Sequence, residues 1–310
     1  MTPAQDCFRP LFLPAPGARL RAAVFEADSP RRVCVLLNGQ TEFIEKYFEV
    51  IDELRQRGFT VVALDWRGQG GSGRLVPGAP LRAHIHDFAE YDQDLDALMD
   101  QLVAPLLAGG ALPIALAHSM GGHILLRYLH RHPGRIAAAI FGAPMVRFSS
   151  RGLPRWPMRL VTQWKVRHGH AEEAVWGMAK RDPLTLDFQH QLVTSDPARF
   201  QRTRDFLLRH PDLRLGAPTW GWVDAALRAT DDMNEPAFAG AIATPSLVFG
   251  AGHDMICVTA DTRRFASRMR QARFVEIAGA NHEILMERDT FRAQFWNAFD
   301  AFTADHQRLS

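Results

Sequence analysis

Ala117-His118-Ser119-Met120-Gly121-Gly122 closes an apolar run at 113–117 and opens a helical pattern. A serine among small residues on a strand-to-helix turn is a nucleophile elbow, because small neighbours let the backbone turn sharply enough to lift the hydroxyl clear. A strand ending in a plain Ser-Gly turn would look the same, and two residues further along the chain separate the two readings. Asp254 comes just after the apolar run 245–249, in Gly250-Ala251-Gly252-His253-Asp254, and His282 just after the run 273–277, in Ala278-Gly279-Ala280-Asn281-His282-Glu283. Nucleophile, acid, then histidine is the chain order that accompanies such an elbow. Serine alone is a poor nucleophile; in this reading His282 takes its proton, while Asp254 holds the imidazole tautomer and stabilises its charged form. Glu283 is a second candidate acid, but it would be badly aimed at its own neighbour.

An acyl-transfer site also needs donors for a developing oxyanion. The run 33–37 leads into Asn38-Gly39-Gln40-Thr41-Glu42, where Gly39 allows a tight turn that aims a backbone N–H at the pocket. With the N–H of Met120 at the start of the helix after the elbow, that of Gln40 would make a two-donor oxyanion hole. The alternative is an ordinary strand-to-helix loop.

These residues demand a scaffold that brings several strand ends to one edge. Apolar runs at 33–37, 60–64, 113–117, 136–141, 245–249 and 273–277 suit strands buried on both faces. Between them, 42–57, 88–107, 121–132 and 258–269 read as crossover helices. This is the rhythm of a mostly parallel, doubly wound α/β sheet, in which ligands bind beyond the carboxyl ends of the strands. A hairpin at 11–13 and 20–25, around Pro14-Ala15-Pro16-Gly17, opens the sheet. The rhythm breaks over 145–239, read as a helical insertion, with 1–144 and 240–310 as the core. Five of the seven tryptophans, Trp156, Trp164, Trp176, Trp220 and Trp222, fall in the insertion. They are expected to be divided between core and the wall of a substrate pocket. From Arg147 to Arg214 the insertion carries 13 Arg or Lys against 7 Asp or Glu. Arg147, Arg151, Arg155 and Arg159 recur every fourth residue with no acid close in sequence.

Composition closes off other classes. With 310 residues, 47% hydrophobic and 23% charged, the chain is neither disordered nor fibrous. A formal charge of +2 argues against nucleic acid as a partner. Since 33 of the 36 bases are arginine, that bias points to a GC-rich coding sequence rather than to binding. Cys7, Cys34 and Cys257 match no metal spacing or paired framework, which suits a reducing compartment. The N-terminal MTPAQDCFRP lacks the basic start and apolar run of a signal peptide, and no apolar stretch is long enough to span a bilayer. A cytoplasmic protein is expected, with its basic insertion suited to peripheral contact with an anionic membrane surface. The glycine-rich 65–72 lacks the spacing and Lys of a phosphate loop and reads as a structural turn. His84-x-His86-Asp87 has no second ligand pair, so no metal and no cofactor is expected. His118 and His123 flank the nucleophile, where packing is the simpler role.

The chain resembles α/β-hydrolases of the lysophospholipase and monoglyceride lipase group, most closely the bacterial PldB-type lysophospholipases. The residues that carry the resemblance are Asn38-Gly39-Gln40-Thr41-Glu42 with Lys46-Tyr47, the segment from Asp65 to Arg74, the elbow, Ala217-Pro218-Thr219-Trp220-Gly221-Trp222, and the segment from Asn281 to Glu287. The resemblance implies an α/β-hydrolase fold with an inserted helical cap. It also implies hydrolysis of the acyl ester of a monoacyl glycerolipid, such as a lysophospholipid, through an acyl-enzyme. Asn38 stands where relatives often have His, and Ala117 where they usually have Gly. A carboxylesterase, monoacylglycerol lipase, peptidase or C–C bond hydrolase would use the same triad. Ser119 in place of Asp argues against dehalogenase and epoxide hydrolase chemistry, and a silent ligand-binding protein would lack a triad member.

Overall fold

The structure is a computed structural model that describes residues 3–107, 110–149, 154–178 and 182–307. Along the chain run α1 (Pro3–Cys7), β1 (Leu11–Ala15), β2 (Ala18–Phe25), β3 (Arg32–Leu37), α2 (Phe48–Gln56), β4 (Phe59–Leu64), α3 (Phe88–Leu98), β5 (Ile114–His118), α4 (Ser119–Arg131) and β6 (Ala138–Gly142). After them come α5 (Arg155–Arg167), α6 (Pro197–Arg209), α7 (Trp220–Met233), α8 (Pro236–Ala241), β7 (Ser246–Ala251), α9 (Thr259–Ala266), β8 (Ala272–Ile277) and α10 (Asp289–Gln307). The strands form one sheet in the order β1-β2-β4-β3-β5-β6-β7-β8. β2 is antiparallel to β1 and β4, and every other pairing is parallel.

Side-chain alternation sorts the layers. Val33, Val35 and Leu37 of β3 turn to one face, Cys34 and Leu36 to the other. On β5, Ala115 and Ala117 oppose Ile114 and Leu116, and on β6, Ala139 and Phe141 oppose Ala138 and Ile140. The first face is covered by α3, α4, α7 and α9 through Leu95, Leu125, Ala226 and Phe265, and the second by α1, α2 and α10 through Ala4, Ile51 and Phe299. In β3 to β7 both faces are buried, which is why those strands read as unbroken apolar runs, whereas β8, expected to be buried on both faces, is an edge strand and only partly buried. β4 lies on one side of β3 and β5 on the other, so the chain reverses direction across the sheet there, and a crevice opens beyond the ends of β3 and β5.

Every strand expected from the sequence is present, with ends displaced by a residue or two. The helix expected over 88–107 is α3 followed by a π-wound turn, Met99–Val103, and a 3-10 turn, Ala104–Leu106. Pro105 sits in that last turn, where its missing N–H is no loss. The segment 145–239, read from the sequence as an insertion, divides in two. α7 presents Trp222, Ala225, Ala226, Ala229 and Met233 to the core of the first face, whereas α5 and α6 stand outside it. Among the described residues, no helix is long and apolar enough to cross a membrane.

Candidate active site

β5 ends at His118 and α4 begins at Ser119, whose φ is 50°. This left-handed conformation costs a non-glycine residue on the order of 1–3 kcal/mol and persists only where the surroundings enforce it. The turn depends on Gly121: a Cβ there would lie 2.6 Å from the Leu37 carbonyl oxygen and 2.5 Å from that of Asn38. Ala117 is fully buried in the core of the first face, so its methyl group is accommodated by packing.

The three residues singled out by chain order meet. His282 Nε2 lies 2.9 Å from Ser119 Oγ, and its Nδ1 lies 2.8 Å from Asp254 Oδ2. Asp254 Oδ1 accepts the backbone N–H groups of Ile256 and Cys257, both at 2.8 Å, which fixes the carboxylate plane. Burial alone would lower the pKa of His282, but the Asp254 carboxylate outweighs it and the imidazole is raised. Asp254 is burdened by the same burial, yet the His282 contacts and the two N–H donors hold it below the usual carboxylate range. Both shifts favour the polarised state in which His282 accepts the serine proton.

The loop after β3 approaches from the other side. A Cβ on Gly39 would lie 3.2 Å from Ser119 Cβ and 2.8 Å from Glu42 Oε2, so Gly39 is needed for close approach. It was expected to supply the turn; the residue with positive φ is instead Thr41, at 64°. Gln69 holds this loop from outside: its Nε2 donates to Gly39 O at 2.8 Å, and its Oε1 accepts from Thr41 N at 3.3 Å. Asn38 is buried and donates to Leu64 O at 3.0 Å, while Trp66 Nε1 donates to Asn38 O at 2.9 Å. The glycine-rich 65–72 is thus the structural turn expected of it, closed by Gly71 N donating to Asp65 Oδ2 at 2.8 Å. Gln40 lies on the cavity wall and Met120 in the first turn of α4.

Beneath this loop lies a charge network that the sequence pattern did not disclose. Lys46 Nζ, buried, is 2.8 Å from Glu42 Oε1 and 2.7 Å from Glu283 Oε1. Glu42 Oε2 also accepts from Gly39 N and from Tyr47 OH. Burial works against the Glu42 carboxylate, but Lys46 and these donors hold its pKa down at about 2. Glu283 has fewer donors; burial raises it, and Lys46 only partly offsets that. Lys46 therefore joins the loop beside Ser119 to the loop that carries His282, and Glu283 faces Lys46 rather than the histidine next to it. The available signal was the Glu42–Lys46 spacing of four.

The histidine loop is clasped to the insertion. Glu287 Oε1 accepts from Asn281 N at 2.8 Å and from Ser195 N at 3.0 Å. Glu283 N donates to Val193 O at 2.8 Å, and Thr194 Oγ1 donates to Met286 O at 2.7 Å.

Ser119 and His282 open into a cavity of about 260 Å3, whose outer wall is one face of α6: Arg199, Phe200, Thr203, Arg204 and Leu207. Phe43 of the β3 loop packs on this helix through Leu207 and stacks on Phe206. None of the five tryptophans expected there lines it. Trp220 and Trp222 are buried in packing, and Trp156, Trp164 and Trp176 are exposed at 68%, 52% and 65%. Counting aromatics gave no direction: which side of a helix they occupy depends on what the helix packs against. The four arginines also need correction. Arg147 pairs with Asp261 at 3.3 Å, and Arg155 and Arg159 pair with Asp231 at 3.1 and 2.7 Å; Arg151 lies outside the described residues. Their acids are close in space though distant in sequence.

His84 Nδ1 lies 2.8 Å from Thr219 Oγ1, and Asp87 caps α3. His118 contacts Gly142 O and His123 contacts Met145 O, and burial lowers their pKa values to about 4 and about 3, in keeping with packing roles. Among the described residues, the ligand atoms of Asp254, Cys257 and His282 fall within 4.8 Å of one another. Asp254 and His282 are already committed to each other, and burial raises the Cys257 thiol well above its ordinary value, so it presents a protonated, poor ligand. All three cysteines are free.

Comparison with known proteins points the same way. Residues 28–289 match the family described as Serine aminopeptidase, S33 (Hydrolase_4). The chain is 32% identical to Lysophospholipase L2 of Escherichia coli K12 over 94% of its own length and 86% of that protein. It is 26% identical to Probable lysophospholipase L2 of Haemophilus influenzae, over 88% and 83%. Among solved structures, a soluble variant of monoglyceride lipase from Saccharomyces cerevisiae superposes with a TM-score of 0.77 at 19% identity, covering 96% of this chain and 94% of the other.

Proposed function

The chain belongs to the serine aminopeptidase S33 family, a family of α/β-hydrolases, and from that premise we propose that this serine hydrolase cleaves the acyl ester of a monoacyl glycerolipid, a lysophospholipid, through an acyl-enzyme. The observation that carries the reading is the hydrogen-bonded line Asp254–His282–Ser119 ending in a cavity. Ser119 Oγ attacks the ester carbonyl as His282 Nε2 takes its proton. The backbone N–H groups of Gln40 and Met120 receive the oxyanion, and the protonated His282 then delivers its proton to the departing glycerol oxygen. A water activated by the same imidazole releases the fatty acid. No step requires a metal or cofactor.

The charges of the cavity favour a phosphate-bearing substrate. Of its cations, Lys46 is held by two glutamates and Arg199 by Glu49, Asp196 and Asp289. Arg204 makes a backbone contact to Leu186 O at 3.4 Å and, among the described residues, no ion pair. A guanidinium without an acid partner, with Leu207 and Phe200 on the same helix face, suits a phosphodiester joined to one acyl chain. The names of the L2 relatives support the same class.

The test is a panel of lysophospholipids, monoacylglycerols, p-nitrophenyl esters and aminoacyl arylamides of matched chain, with fluorophosphonate labelling of wild type and Ser119→Ala. Highest kcat/KM on lysophospholipid, with labelling abolished by the substitution, is expected. A preference for arylamides would make the protein a peptidase, and equal labelling would remove Ser119 as nucleophile. Arg204→Gln should lower the ratio of lysophospholipid to monoacylglycerol hydrolysis by roughly tenfold or more, as loss of one charge-assisted hydrogen bond implies.

A further inference from the structure

α5 is turned inside out. Its inward side is polar: Thr162 Oγ1 donates to Asp224 at 3.1 Å, Lys165 pairs with Glu173 at 3.0 Å, and Arg155 pairs with Asp231 at 3.1 Å. Its outward side carries Trp156, Leu160 and Trp164, spaced by four residues and 68%, 58% and 52% exposed. Trp176, 65% exposed, adds to the same part of the insertion through the Lys165 ammonium, which lies 5.4 Å from its ring. Among the described residues, Leu192 and Leu208 are the insertion's other exposed large apolar side chains, whereas Phe12, Leu106, Leu112 and Met255 lie elsewhere along the chain. A soluble helix puts such a stripe against its core, and an exposed apolar patch of this kind marks a docking site.

Charge selects the occupant. Arg167 is exposed on the outward side beside these apolar residues, and Arg159, also exposed, stands at the margin of that side with its guanidinium on Asp231. Two acids nearby are committed, Asp231 shared by Arg155 and Arg159 and Glu173 by Lys165 and His170, while Glu172 is exposed to solvent. Over 145–239 as a whole, bases outnumber acids by 14 to 11. Indole rings with arginine on one helix face match the boundary of an anionic bilayer, where the ring sits at head-group depth and the guanidinium meets phosphate. We propose that the outward face of α5, with Trp176, docks the protein on an anionic lipid surface. This rests on the reading that the substrate is a membrane-borne lipid.

The experiment uses full-length Ser119→Ala protein and vesicles of phosphatidylcholine, with and without a quarter phosphatidylglycerol. Co-sedimentation, blue-shifted tryptophan emission and quenching by brominated lipid are expected on the anionic vesicles. The W156S/L160S/W164S variant should lose about tenfold or more in partitioning while keeping its Tm, because exposed positions carry little stability. R159Q/R167Q should lose roughly fivefold or more on anionic vesicles alone, and high salt should mimic it. Equal partitioning of the triple variant overturns the proposal, as does light scattering in which that variant merely converts a dimer to a monomer with vesicle binding unchanged. The two readings separate cleanly. If stripe-dependent binding is seen but the protein with Ser119 intact cleaves no glycerolipid, the docking face stands and the substrate reading falls. Hydrolysis of monomeric lysophospholipid by a protein indifferent to vesicles gives the reverse.

Discussion

The carboxyl edge of the sheet and the insertion that covers it are held by opposite means. At the edge, Ser119, Asp254 and His282 are set by buried strand ends, and each of these side chains is hydrogen-bonded to another of the three. In α5, ion pairs replace apolar packing, and large side chains face outward. The difference separates two tasks: chemistry needs atoms fixed to a fraction of an ångström, whereas choosing and collecting a lipid needs a surface.

Substitutions can break this contrast, and the largest effects belong to the edge. Ser119→Ala or His282→Ala should lower kcat by roughly 10⁴- to 10⁶-fold on a soluble ester, Asp254→Ala less, and Ser119→Ala/His282→Ala no further than the worse single change, because the three act as one unit. Additive losses would mean that they do not. Next comes Lys46. Lys46→Met leaves Glu42 and Glu283 buried without their cation and should cost about 3–5 kcal/mol in denaturant unfolding, with a fall in kcat larger than any rise in KM. Lys46→Arg should recover much of both, and a stability loss with normal kcat would limit Lys46 to the fold. Of similar size, Trp222→Ala should cost about 3–5 kcal/mol, whereas Trp156→Ala should stay within about 0.5 kcal/mol. Matching losses would show that the exposed stripe is structural after all.

A smaller effect is in the pH profile. Since Asp254 raises His282, the acid limb on a soluble ester should have its midpoint above the imidazole's ordinary value of about 6.5, with activity falling about tenfold per pH unit below it. In Asp254→Asn the nearest carboxylate is gone and only those of Glu283 and Glu42 still oppose burial, so the residual activity should titrate at lower pH. A midpoint unmoved by that change would separate Asp254 from the base. Least affected should be Arg155→Gln and Arg159→Gln: their pairs with Asp231 lie at the surface, where such contacts carry about 0–1 kcal/mol, and kcat/KM on a monomeric substrate should change less than twofold.

The same contrast governs what the sequence discloses. Strands buried on both faces must be apolar runs, and a sharp elbow must be flanked by small residues, so β3, β5 and β7 and the residues at their ends are legible one by one, whereas β8 is a partly buried edge strand. α10 is missing from the elements expected of the sequence, although Phe295, Phe299 and Phe302 keep helical spacing on the second face; no motif of the site falls on it to draw attention there. Long-range polar contacts leave no such pattern. Nothing near Arg159 announces Asp231, nothing near Glu287 announces Ser195, and the division of the tryptophans between core and surface depends on the partners of α5 and α7. The tetrapeptide spacing of Glu42 and Lys46 was visible, but not that Glu283 would complete it.

The clasp between the histidine loop and the insertion sets a rule for recombination. Because Glu287 holds both Asn281 and Ser195, and Val193 receives the N–H of Glu283, the insertion is no cassette that can be cut at its two chain ends and exchanged. A chimera must bring 193–195 and 281–287 from the same parent, or it inherits His282 on a loop with half its fastenings missing.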